Sequence, residues 1–243
     1  MSATAFSNQP LEFPPVFTPV AAGGGDAFVR ALAEAKAGSG AGTLVWSQSL
    51  ERFDCAVVFE PDRSLDRSLP AIYVAALAIA DALTANGPPN KLVTFAWPQL
   101  ILVDGAVVGA TRMAWPDGVA DDAVPDWLVV GASLRMRWPA GLDDPGRMPG
   151  ETALHEEGFG EVEAPALIES FSRHLLHRTS RWIEDGFDPI AYDWLGHLPA
   201  AVRNGPVRHG LDPNGDLLLL DPGSAKPQRM PLRPALNPAA GPR

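Results

Sequence analysis

The spacing of apolar positions divides this chain into elements. In 25–38, Phe28, Leu32 and Ala35 recur at helical spacing, and the glycine-rich run Gly38 to Gly42 supplies the break that ends a helix. Pro70 opens a second helix, expected to run to Leu83, because proline is favoured in a first turn. Pro165 to Asp185 is the longest helical stretch, with Leu167, Ile168, Phe171, Leu175 and Trp182 along one face. Thr152 to Glu157 predicts a short helix. Strand-like runs cover Gly42 to Trp46, Cys55 to Phe59, and roughly 92–97, 100–104, 106–114 and 127–137. A polar segment, Ser47 to Arg52, joins the first two, and Asp104-Gly105 forms a polar tip between two apolar runs. Asn86 to Asn90 and Trp138 to Gly150 read as loops.

The ends of the chain differ from its middle. Residues 1–19 are proline-rich and aperiodic, and predict an extended arm pinned to the core by Leu11, Phe13, Val16 and Phe17. Asn204-Gly205-Pro206 marks a boundary that separates a main domain, 20–203, from a small one, 204–243. In the small one Asn214-Gly215 is a tight-turn signal before four leucines, Leu217 to Leu220, and the last ten or so residues are expected to lack fixed structure.

Composition narrows the classes. A chain of 243 residues, 46% hydrophobic and 20% charged, is globular and long enough for one substantial core with a small appendage. A net charge of −10 opposes nucleic acid or an anionic membrane surface as partner. There is no apolar run near the ~18 residues of a membrane span and no basic-then-apolar leader, so a soluble, cytoplasmic chain is expected. The lone cysteine excludes an internal disulfide and a cysteine zinc cage.

The stretch Phe95 to Gly118 carries the strongest signal. A strand ends at Trp97-Pro98, the Asp104-Gly105 tip follows, and Val107-Val108-Gly109 returns. The layout resembles the biotin/lipoate protein ligase family, in which the first strand reads Lys-Trp-Pro-Asn-Asp and a lysine precedes the return-strand glycine by three residues. This chain has Ala96-Trp97-Pro98-Gln99-Leu100 and Ala106. The resemblance continues through Gly42-Thr43-Leu44-Val45-Trp46, 53–62, 76–83, 126–136, 166–199 and 209–220, in the family's order. It implies an α+β fold of the class II synthetase-like type: a mixed sheet with flanking helices, followed by a small SH3-like β-barrel.

The resemblance also implies a chemistry and a set of losses. Family members join an acid to AMP using ATP and Mg, then pass it to a lysine of an acceptor domain. A Gly- and Arg-rich loop gathers the phosphates, and a lysine stabilises charge at the reacting carboxyl. The corresponding segment here, Ser47 to Arg52, has no glycine and one arginine, while Ala106 and Leu100 replace the lysine and the acid. The implied reading is a member without the ligase catalytic set and with no cofactor, binding a small carboxylic acid, an acyl group or a protein partner; a homodimer is common in such a family. The alternative is an active ligase or acyltransferase with relocated catalytic groups. The resemblance places Trp46, Trp97, Gly109, Arg112, Gly131, Ser133 and Arg135 along the ligand groove, with Arg112 or Arg135 on a carboxylate or phosphate. The glycines equally suit crowding within a twisted sheet, and the tryptophans suit core packing. Cys55 fits a buried small hydrophobe better than a nucleophile. His174 and His177, three apart on a helix, fit a solvated flank better than a metal site, and His155-Glu156-Glu157 lacks the second histidine of a zinc-protease helix.

Overall fold

The central sheet is built from β1 (Thr18–Ala21), β2 (Thr43–Trp46), β3 (Arg52–Phe59), β4 (Val93–Ala96), β5 (Leu100–Val103), β6 (Ala106–Ala114) and β7 (Leu128–Arg135). In the computed structural model, which describes residues 10–139, 148 and 150–236, these seven strands run in the order β1-β2-β3-β7-β6-β5-β4. Only β1 and β2 are parallel; the other pairs are antiparallel, so the sheet is mixed as expected. Asp104 and Gly105, both with positive φ, form the two-residue turn that joins β5 to β6, which suits the twist of a hairpin.

Alternation along the strands creates two unlike faces. Phe53, Cys55 and Val57 of β3, with Val130, Ala132 and Leu134 of β7, pack into one large cluster with α3 (Ala71–Asn86) and α4 (Ala164–Asp185). Phe53 meets Phe171 of α4 edge to face, with ring centroids 5.5 Å apart. Ala56, Val58 and Val129 face the other way, against Ala27, Phe28, Ala31 and Ala35 of α1 (Ala27–Lys36). Helix α1 is short and covers only part of its face. Helix α3 is buried nearly all round because it lies between the sheet and α4.

The remaining elements are α2 (Leu65–Ser68), α5 (Asp188–Gly196), α6 (Ala200–Arg203), strands β8 (Arg208–Leu211), β9 (Leu217–Leu220) and β10 (Gln228–Met230), and α7 (Leu232–Leu236). The three C-terminal strands form an open sheet, ordered β10-β9-β8, and not the closed barrel expected. Strands of three or four residues are too few and too short to close. Leu232 and Leu236 are buried in the same cluster as α3, and the Tyr73 hydroxyl donates to the Gly215 carbonyl at 2.6 Å.

Three further expectations change. The N-terminal arm ends in β1, and Leu11, Phe13 and Phe17 pack on the core, whereas Val16 is 56% exposed. Thr152 to Glu157 is a turn, not a helix: the chain is bridged to Val107 just before it, and Gly158, at positive φ, turns the backbone just after it. Leu65 to Asn86 is long and apolar enough to cross a membrane, though mostly buried inside the protein, as a core helix is. The expectations for the last residues, and for most of the 138–150 loop, fall outside the described residues.

Candidate functional site: an arginine corner beside the open sheet face

Cross-strand pairing places Ala96, Leu100, Ala110, Ser133 and Asp54 in one row on the α1 side of the sheet, running outward from the start of α1, which Asp54 contacts. Leu100 in this row is 38% exposed, whereas Asp54 is buried. One register step on, Arg52 and Arg135 stand directly opposite each other. Two like charges in that relation destabilise a sheet unless an anion answers them. Around them lies a cavity of about 220 Å³, lined by Glu51, Arg52, Gly109, Ser133, Arg135 and Arg137 among others.

The seven residues expected in the groove divide between the faces. Gly109, Ser133 and Arg135 line the cavity. Arg112 and Gly131 lie on the same side of the sheet but outside the cavity lining. Trp46 and Trp97 pack on the α3 cluster, and the Trp97 indole donates to the Tyr73 hydroxyl at 2.9 Å. Burial pushes the Tyr73 hydroxyl well up from its ordinary range, so it remains a neutral partner. Both glycines are explained within the sheet. A Cβ at Gly109 would stand 2.1 Å from the Ser133 carbonyl oxygen, and one at Gly131 would stand 2.5 Å from the Cys55 carbonyl oxygen.

Each expected arginine is held by a carboxylate of its own chain. Arg112 places one terminal nitrogen on both oxygens of Asp26, at 2.8 and 3.0 Å, and its guanidinium lies 4.3 Å from the Phe28 ring. Asp26 caps α1, accepting from the Val29 amide. Burial alone raises this carboxyl, but the Val29 bond and Arg112 outweigh it and hold Asp26 below the usual range. Arg135 bonds Glu151 at 2.7 Å and the Thr152 carbonyl at 3.0 Å, and lies 4.2 Å from the Trp138 ring. Arg137 donates to His155 Nδ1 at 2.7 Å; burial and that guanidinium lower the imidazole's pKa, keeping it a neutral acceptor. Arg52 has no side-chain hydrogen bond or ion pair among the described residues.

Five neighbours of these residues escaped the sequence reading. Asp54 is 1% exposed; its Oδ2 accepts from the Ala27 amide at the start of α1, and its Oδ1 has no partner among the described residues. Burial, then Asp26, raise its pKa against the Ala27 bond. Placing the start of β3 at Arg52 would have put Arg52 and Asp54 on one face by alternation. Asp26, directly before an apolar-periodic run, carries an N-cap signal. Glu151 and Arg137 reach the site through long-range packing, for which local spacing gives no sign.

The connection between β2 and β3 is pinned through its own backbone. The Ser47 amide bonds the Asp54 carbonyl, Gln48 bonds the Gly23 carbonyl, and the Glu51 and Arg52 amides bond the Ser49 hydroxyl. Ala106 opens β6 in the strand position where the resemblance puts a lysine. Lys91, near the hairpin tip, is tied to Asp104 at 2.7 Å and Glu157 at 3.1 Å. Among the described residues no cluster of histidine, cysteine and carboxylates could hold a metal ion; His174 lies 3.8 Å from Asp81.

Known proteins can be set beside this geometry. The family model described as the biotin/lipoate A/B protein ligase family matches residues 13–196. A biotin–[acetyl-CoA-carboxylase] ligase of Paracoccus denitrificans is 29% identical over 216 residues, covering 82% of this chain and 85% of the relative. The crystal structure of a biotin protein ligase-like protein of unknown function from Silicibacter sp. TM1040 superposes with a TM-score of 0.81 at 34% identity, over 93% of this chain and 99% of that one. Biotin protein ligase from Aquifex aeolicus, in its apo form, shares the fold at a TM-score of 0.67 and 13% identity, over 88% of this chain and 96% of its own. The match to the family model spans most of the chain: this protein belongs to the biotin/lipoate A/B protein ligase family.

Proposed function

We propose that this protein is a family member that binds a small carboxylic acid or acyl compound at the arginine corner without adenylating it. The observation that carries the reading is the β2–β3 connection. Phosphate cradles work by pointing free backbone amides at the anion. Here the amides of Ser47, Gln48, Glu51 and Arg52 already serve the protein's own acceptors. The lysine position is Ala106, Lys91 is tied to two carboxylates, and Arg112 and Arg135 are each held by one. Those residues do not fit a triphosphate with its magnesium, so no adenylation step is assigned. They do fit one anionic group. Arg52, Arg135 and Arg137 outnumber Glu51 around the cavity, and Ser133 offers a hydroxyl.

Isothermal calorimetry with ATP-Mg, with and without biotin or octanoate, tests the reading. Acid binding that is indifferent to ATP is expected. Micromolar ATP affinity would sink it.

A second reading, an active ligase with relocated catalytic groups, is favoured by the 29% identity to the Paracoccus denitrificans ligase. ATP-dependent transfer of biotin or a lipoyl group to an acceptor domain by the unaltered protein would establish it.

A further inference from the structure

Glu151 holds one of the arginines that line the cavity. Its carboxylate lies 2.7 Å from Arg135, one of the three arginines of the cavity. The chain around it is not free to drift. The Val107 amide bonds the Gly150 carbonyl at 2.7 Å, and the Thr152 amide bonds the Val107 carbonyl at 2.9 Å, so residues 150–152 are fastened to β6 on both sides of Glu151. The backbone therefore delivers the carboxylate to Arg135. The Glu151 side chain is 42% exposed, a situation in which an ion pair is weak and an incoming anion can replace it.

We infer that Glu151 is a built-in competitor that sets the charge requirement of the arginine corner. With Glu151 seated, Arg135 is taken, and an incoming anion meets Arg52 and Arg137, the latter bonded through Nε to the neutral His155 imidazole. Displacing Glu151 makes Arg52 and Arg135, opposite each other in register, into a pair that grips one anion from two strands. The site then favours ligands whose anionic group outbids a carboxylate, such as a phosphate-type dianion, over simple monocarboxylates. The inference rests on the reading of the cavity as an anion site.

The test is titration of octanoate and, separately, inorganic phosphate into the wild type, Glu151→Gln, Glu151→Ala and Arg52→Met. Both Glu151 variants should bind octanoate about five- to tenfold more tightly, an effect discounted for an exposed pair. Phosphate affinity should rise less, and octanoate affinity should fall more steeply with salt than in the wild type. Arg52→Met should weaken both anions at least about tenfold. If both Glu151 variants match the wild type, or bind more weakly, while wild-type binding depends on Arg52, the competitor role is overturned and the cavity reading stands. Absence of anion binding in all four proteins overturns both.

Discussion

The two faces of the sheet solve opposite problems. The side under α3 and α4 is closed, apolar and interlocked through Phe53, Phe171, Tyr73 and Trp194. The side under α1 is half covered, and where α1 stops the strands carry Asp54, Ser133, Arg52, Arg112 and Arg135 instead of hydrophobes. The first face answers to packing, in which any change of volume is felt. The second answers to charge balance, in which two of the arginines have been given a partner from a distant segment, Asp26 for Arg112 and Glu151 for Arg135, while Arg52 has none among the described residues. Both faces belong to one fold, that of the biotin/lipoate A/B protein ligase family.

The sharpest way to break this contrast is to attack the closed face. Phe171→Ala opens a cavity beneath a fully buried ring and should destabilise the protein by about 3–5 kcal/mol, read by urea unfolding at constant m-value. A loss below about 1 kcal/mol would mean that this face is loosely packed and that the two sides do not differ in kind.

On the open face single changes should be milder. Arg112→Met removes a partly exposed pair and the contact with Phe28, and should cost about 1 kcal/mol once solvent screening is allowed for. Because Arg112 does not line the cavity, octanoate affinity should stay within about twofold of wild type. A large loss of affinity would move the site from the arginine corner towards α1.

Asp54 sharpens the comparison through its pH dependence. Its folded pKa is raised, so the ionised form is disfavoured in the native state. Native stability is therefore undiminished by this group below the unfolded value near 4, and is reduced as pH rises through the folded pKa. Asp54→Asn keeps a carbonyl for the Ala27 amide and removes the charge. It should stabilise the protein by about 1 kcal/mol at neutral pH, with the advantage vanishing below about pH 4. Thermal melts across pH check both parts. A destabilised variant at pH 7 would show that the ionised carboxylate is needed where it stands.

Much of the closed face was legible in the sequence. The helical spacing of Leu167, Ile168, Phe171 and Leu175 and the strand runs at 92–97, 100–104, 106–114 and 127–137 report directly on burial, and burial is what those residues do. Less of the open face could be read. Ser133, Gly109 and Arg135, which the resemblance places along a groove, line the cavity, but the arginines' partners lie 16 residues away in one case and 86 in the other. Local spacing says that Arg112 points off the apolar face; only the folded chain says that Asp26 waits there. The small barrel was misjudged for a related reason: Asn214-Gly215 marks a turn faithfully, yet whether the strands around it close depends on their number.

The smallest expected effect is the most telling about function. Ala106→Lys returns a lysine to the start of β6, where the resemblance places one, yet ligation should remain undetectable. Groups that act as a unit are strongly non-additive, so one restored member recovers little. The lysine would act on an adenylate, and the β2–β3 connection keeps the amides of Ser47, Gln48, Glu51 and Arg52 bonded to its own chain, with Leu100 still in place of the family's acid. The measurement is ATP-dependent transfer of biotin or a lipoyl group to an acceptor domain, comparing the variant with wild type. Robust turnover by the variant would show that Ser47 to Arg52 can release its amides to a nucleotide. The proposal of a site that binds an acid without adenylating it would then fall.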